Sequence, residues 1–156
     1  MGKRSIVIRC DGGVSIGMGH IIRCIALSEI LQSYFDIQFL IQQTTDTVKR
    51  VMGNAGFEYI EIPRTQDYEI ESTYIHEYIR PDSLVVLDGY NFQSSYQLAI
   101  KASGHTVIAI DDLNAWEHHV HAIFNHAPRI SANDYKAQLY TRFYLGSEYA
   151  LLRREI

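Results

Sequence analysis

Short apolar runs of strand length recur at residues 4–10, 37–41, 57–62, 84–87 and 106–110, and stretches of helical periodicity separate them. That alternation constrains the fold more than any other feature. Leu84-Val85-Val86-Leu87 is apolar at every position, so both of its faces have to be covered, as in the interior of a parallel sheet. Between the runs, residues 20–34 place Ile21, Ile22, Ile25, Leu27, Ile30 and Leu31 at roughly helical spacing. Residues 44–54, 67–79 and 92–103 read as further helices, with Gly56, Pro81 and Gly104 as stops. Residues 122–124 can add one more strand. Strand following helix in this rhythm predicts a Rossmann-like α/β fold, a mostly parallel sheet with helices on both faces. With 156 residues and no internal repeat or linker, the chain suits one domain.

A content of 47% hydrophobic and 21% charged residues is that of a globular protein, and a net charge of -4 with scattered lysines and arginines gives no footprint for nucleic acid. The apolar runs fall well short of the ~18 residues that a membrane span needs. The start of the chain lacks the apolar core and cleavage site of a secretory signal. Cys10 and Cys24 are the two cysteines and read as reduced thiols, which together with these features predicts a cytoplasmic protein.

In an open parallel sheet, ligands bind beyond the carboxyl ends of the strands. Those ends carry Asp11, Asp88-Gly89-Tyr90-Asn91, Asp111-Asp112 and Asn125-His126. The densest signal follows the first strand, where residues 11–20 read D-G-G-V-S-I-G-M-G-H with four glycines. Gly17 and Gly19 let the backbone turn and bring N–H groups close to a ligand, and the next helix offers its positive end to a phosphate or an acidic group. The spacing is neither the dinucleotide G-x-G-x-x-G nor a phosphate loop with G-K-[ST].

His20, in the first turn of that helix, faces the crevice, where a neutral imidazole can take a proton as a general base. Asp88 and the pair Asp111-Asp112 either contact a ligand or cap the following segment, and Tyr90 either lines the pocket or packs. His118, His119, His121 and His126 are close in sequence but match no metal-ligand spacing, and no serine-nucleophile elbow is present. The expectation is a site without metal or cofactor. Its catalytic residue is His20, and its substrate-binding candidates are Asp11, Gly17, Met18, Gly19, Arg23, Asp88, Tyr90, Asp111 and Asn125.

Arg9-Cys10-Asp11 with Ile16-Gly17-Met18-Gly19-His20 and Arg23 resembles the R-x-D-x-x-x-x-I-G-x-G-H-x-x-R opening of the UDP-sugar hydrolases of pseudaminic acid biosynthesis, a group that includes spore-coat-polysaccharide-type proteins. Val86-Leu87-Asp88-Gly89-Tyr90, Ile110-Asp111-Asp112 and Gly146-Ser147-Glu148-Tyr149-Ala150-Leu151-Leu152-Arg153 extend the resemblance in the same order. Gly13 stands where these hydrolases commonly carry serine. A broader similarity is to the peptidoglycan glycosyltransferase that adds N-acetylglucosamine.

The resemblance implies the N-terminal half of a GT-B enzyme over residues 1–156, with a C-terminal UDP-binding domain that these residues do not include. It also implies a UDP-sugar substrate, His20 as the base that activates water at the anomeric carbon, and Tyr90 beside the sugar. A transferase of the same architecture would use His20 on an acceptor hydroxyl, and a sugar- or partner-binding module would not use it for chemistry at all.

Overall fold

The computed structural model describes residues 2–42 and 44–152. Arg153, the last residue of the fourth resembling segment, lies outside the described residues. The chain runs β1 (Arg4–Cys10), α1 (Gly19–Leu31), β2 (Phe35–Gln42), α2 (Asp46–Ala55), β3 (Tyr59–Ile62), α3 (Tyr68–Tyr74), β4 (Leu84–Asp88), α4 (Ser94–Ala102), β5 (Thr106–Ile110), β6 (Ala122–Asn125) and β7 (Arg142–Leu145). The strands form one seven-stranded sheet in the order β3-β2-β1-β4-β5-β6-β7. Every neighbouring pair is parallel.

The uninterrupted apolar runs behave as their pattern demands. On one face, Val7, Leu40, Val85, Leu87 and Val107 pack under α3 and α4 with Tyr96 and Ile100. On the other, Ile6, Ile8, Phe39, Ile41 and Val86 pack under α1 and α2 with Ile21, Ile25, Val48 and Met52. Because β1 and β4 are covered on both sides, the registers that bring Cys10 opposite Asp88 are fixed from above and below.

The helices end where local chemistry stops them. Thr45 Oγ1 accepts from Val48 N at 3.2 Å to start α2, and Gly56 closes it in the left-handed region at φ 77°. Asp67 starts α3 by accepting from the amides of Glu69 and Ile70. The helix predicted over 67–79 is shorter than its pattern: from Ile75 to Tyr78 the chain tightens into a 3-10 turn ahead of Pro81.

Two further differences concern the later strands. Arg142-Phe143-Tyr144-Leu145 is neither an uninterrupted apolar run nor an alternation of apolar and polar residues, so β7 is not anticipated by the sequence pattern. The links β5→β6 and β6→β7 also contain no α-helix; they are irregular except for a 3-10 turn at Ala132–Asp134. Among the described residues, no helix is long and apolar enough to cross a membrane.

Candidate functional site

The chain lays β2 and β3 on one side of β1 and then returns to lay β4 on the other. The loops leaving β1 and β4 therefore diverge, and a crevice opens between them at the carboxyl edge of the sheet. Asp88 is the final residue of β4, and the segment after β1 leads through the glycine loop to His20, the second residue of α1.

The loop is a tight hairpin. Gly13 N donates to Gly17 O at 3.0 Å, Gly17 N donates to Gly13 O at 2.7 Å, and Val14 stands fully exposed at the tip. Gly17 has φ 80° with open space around it, so its requirement is purely backbone. Gly12 has the opposite requirement, since a Cβ there would lie 2.7 Å from Ile21 Cγ1. Gly19 meets neither condition, being simply the first helical residue in open space. Gly17→Ala should therefore lose about 1–2 kcal/mol of stability, and Gly19→Ala should be neutral or slightly stabilising; urea unfolding of both variants measures the contrast. Met18, at the N-cap of α1, makes no side-chain capping bond, and no acidic residue stands in the first turn.

His20, Arg23 and Cys24 lie on one face of α1 at i, i+3 and i+4, and all three meet Asp88. The Asp88 carboxylate accepts from His20 Nδ1 at 2.8 Å, from Arg23 Nε at 2.6 Å and from Cys24 Sγ at 3.3 Å. Arg23 Nη2 adds a second bond, making the guanidinium bidentate. Asp88 is fully buried and His20 nearly so. Burial works against the Arg23 cation, but its bonds and charge pairing with Asp88, aided by Asp112, prevail and hold it protonated.

With Nδ1–H committed to Asp88, the tautomer is set by its partner and Nε2 is the ring nitrogen left as an acceptor. Tyr90 packs edge-on against the His20 ring, centroids 4.9 Å apart at 80°. Its phenol donates to Asp112 Oδ2 at 3.4 Å, and Arg23 Nη1 donates to the same oxygen at 3.2 Å.

A second buried set lies beneath the crevice. Arg9 binds Glu71 twice, at 2.9 and 2.7 Å, and Asp11 once at 2.7 Å. Gln42 Nε2 and the Tyr96 hydroxyl donate to Glu71 as well. Asp11 Oδ1 also accepts from Gln42 N at 2.7 Å, and Oδ2 accepts from Tyr68 at 3.0 Å. Burial, reinforced by the Asp11 charge, pushes the Tyr68 phenol up to about 12, so it remains a donor at neutral pH. Asp11 is thus held chiefly by the protein, with one edge reaching the cavity.

Asp111 and Asn125 belong to a third set. Tyr135 donates to Asp111 Oδ2 at 2.8 Å, and Asn125 Nδ2 donates to the Tyr135 oxygen at 2.8 Å. The backbone amides of Leu113 and Asn114 also donate to Asp111. His118 lies against this set with Nε2 4.0 Å from Asp111 and with Nδ1 accepting from Gln97 at 3.1 Å. Burial keeps His118 neutral, lowering its pKa despite Asp111. His121 is spent elsewhere, its Nδ1 accepting from Val107 N at 3.0 Å. Among the described residues, no three His, Cys, Asp or Glu side chains come together as a metal-ligand set.

The crevice has two adjoining lobes. The first, about 180 Å³, is lined by Asp11, Ser15, Ile16, His20, Tyr68 and Tyr90, with Gly89-Tyr90-Asn91-Phe92 closing it. The second, about 250 Å³, shares Asp11, Ser15, Ile16, Tyr68 and Asn91 and extends to Gln42 and the Arg64-Thr65-Gln66 loop. Of the residues expected from sequence, Asp11, His20 and Tyr90 line the cavity. Arg23 and Asp88 back His20, Gly17 and Met18 shape the hairpin and helix start, and Asp111 and Asn125 brace loops away from it. Tyr68 and Glu71 are the contributors that sequence reasoning missed. Asp112 carries a signal only as the second half of an acidic pair.

No protein-family model matches the chain. It is 26% identical over 160 residues to an uncharacterized protein, MJ1062, of Methanocaldococcus jannaschii; the alignment covers 96% of this chain and 31% of that protein. The crystal structure of MurG from Acinetobacter baumannii superposes on 82% of this chain with a TM-score of 0.54 and 13% sequence identity. The match occupies 42% of the MurG chain, so this domain spans less than half of the one and about a third of the other. At that identity the likeness is one of fold: a Rossmann-like α/β domain corresponding to the N-terminal half of a GT-B fold.

Proposed function

We propose that this domain provides the base and the sugar-side pocket of a nucleotide-sugar hydrolase. The observation that carries the reading is the His20–Asp88 pair, with Nδ1 anchored at 2.8 Å on a histidine that lines a cavity at the switch point of the sheet. The GT-B-like fold supports a nucleotide-sugar ligand, and the resemblance of the glycine-loop segment supports a UDP-linked deoxy-acetamido sugar in surface polysaccharide or nonulosonate synthesis.

In this mechanism a water in the first lobe gives its proton to His20 Nε2 as its oxygen bonds to the anomeric carbon. The bond from that carbon to the diphosphate oxygen breaks, and UDP leaves with the electron pair. Asp88 holds the ring and balances the imidazolium that forms, a division of labour shared by other base–carboxylate pairs. Tyr90 and Ile16 flank the sugar, and Asp11 Oδ2 accepts from one of its hydroxyls. The uncapped first turn of α1 favours negative charge nearby. A facing C-terminal domain binds the uridine diphosphate and supplies most of the leaving-group stabilisation, so this domain alone turns over little. The free buried thiols of Cys10 and Cys24 fit the reducing cytoplasm we assign to it.

The second lobe favours one alternative. Its 250 Å³ adjoins the lobe that His20 lines and is room for the body of an acceptor, so a transferase would place an acceptor hydroxyl where the hydrolase places water. The deciding assay measures UDP release from a UDP-linked diacetamido-trideoxy sugar by the full-length gene product. Release in water alone, lost in His20→Ala, supports hydrolysis. Release that requires an added acceptor supports transfer, and release indifferent to His20 refutes the mechanism.

A further inference from the structure

We propose that Asp112, which does not line the cavity, is a positioning residue for His20, acting through Tyr90 and Arg23. The inference rests on the assignment of His20 as the base but not on the choice between water and an acceptor.

The His20 ring is held on two sides. Asp88 fixes its Nδ1 edge, and Tyr90 meets it at 80° with centroids 4.9 Å apart. Asp88 is itself immobilised by burial and its several donors. Tyr90 is not: it follows Gly89 in a loop and is 46% exposed. An exposed aromatic side chain on a loop has several staggered rotamers open to it. Its side chain meets the His20 ring and donates its phenol to Asp112 Oδ2 at 3.4 Å. Arg23 reaches the same oxygen with Nη1 at 3.2 Å, while its other nitrogens hold Asp88.

Asp112 is therefore the node joining the two residues that flank the base. Asp112 is an exposed residue, so its ion pair with Arg23 contributes little to folding. The local backbone explains its place. Asp111 continues the sheet pairing by donating its amide to Phe124 O at 2.9 Å and sends its carboxylate to Tyr135. The next residue projects to the opposite side, which is the side of α1 and Tyr90.

With a ligand bound, Tyr90 held against His20 would wall one side of the first lobe and keep the imidazole plane aimed at the reacting carbon. A freed Tyr90 would let the ring and the sugar drift. Small misplacements of this kind cost rate rather than binding when the contact matters most in the transition state.

The test begins on this chain by NMR. Nuclear Overhauser contacts between the Tyr90 and His20 rings should be strong in the wild type, lost in Asp112→Ala and restored in Asp112→Glu, with amide shifts elsewhere unchanged. Tyr90→Phe keeps a ring but lacks the phenol, and the contacts of that substituted ring with His20 should weaken as in Asp112→Ala. Persistence of the wild-type contacts in Asp112→Ala overturns the proposal.

In the full-length protein, Asp112→Ala should lower kcat about tenfold with KM little changed. It should lower kcat less when added to Tyr90→Phe than when made alone; full additivity would overturn the route through Tyr90. Should turnover prove independent of His20, the proposed reaction falls, and the ring-contact measurement still decides whether Asp112 positions the pair.

Discussion

Alanine at position 20 is expected to reduce UDP release by about 10²–10⁴-fold, the range for removing a positioned general base. KM should move far less, because the lost interaction is made as the proton transfers and not when the sugar binds. Nδ1 gives its hydrogen to a fully buried carboxylate, which leaves Nε2 as the acceptor on a residue that lines the cavity. The companion change is Asp88→Asn. Asparagine preserves shape but offers an amide in place of one carboxylate oxygen, leaving Arg23 with a poorer partner and the imidazole free to take the other tautomer. A fall comparable to that of His20→Ala is expected, and the double variant should be scarcely worse than either single one, since the two residues act as a unit. Steady-state kinetics on the two single variants and the double variant measures this. Additive losses would mean that Asp88 is a brace for Arg23 and not an orienter of the base.

The largest effect on stability should come from Arg9→Ala. The guanidinium is almost wholly buried, binds both Glu71 oxygens and Asp11, and lies 5.0 Å from the Phe92 ring centroid. Removing it strands two carboxylates without their cation, an uncompensated burial that typically costs about 3–5 kcal/mol. For a domain of this size that corresponds to a fall in Tm of roughly 10 °C, read by calorimetry or circular dichroism. Glu71→Gln should be milder, since an amide retains an acceptor for Arg9 and for the Tyr96 hydroxyl. If Arg9→Ala unfolds no more easily than a surface variant, the network is dispensable to the fold.

The parts of this fold legible in the sequence are those governed by local pattern. Consecutive apolar residues announced β1, β4 and β5, and Asp67 and Gly56 marked a helix start and a helix stop by chemistry that acts within a turn. β7 stayed hidden because Arg142-Phe143-Tyr144-Leu145 becomes a strand only by pairing with β6. The site divides the same way. His20 stood out because it ends a glycine loop, and Arg23 and Asp88 were named without any means of knowing that they meet. Choosing between Asp111 and Asp112 required knowing which side of the backbone faces α1. Glu71 was invisible for a sharper reason. In Tyr68-Glu69-Ile70-Glu71 the two glutamates look alike, yet the second is sealed from water by an arginine 62 residues away in sequence.

The crossing of the chain at β1 has a bearing on how the molecule acquires its chemistry. His20 and Asp88 are separated by 68 residues, and they meet because β4 pairs with β1 after β2 and β3 have already been laid down on the opposite side. A nascent chain that has formed only its first β–α–β unit holds the histidine without the carboxylate, and one that mispairs its fourth strand holds both apart. Closing so long a loop is among the slower and less favourable events in folding. The His20–Asp88 contact is thus withheld until β4 has paired with β1, and a chain that lacks this pairing holds the imidazole without its anchor.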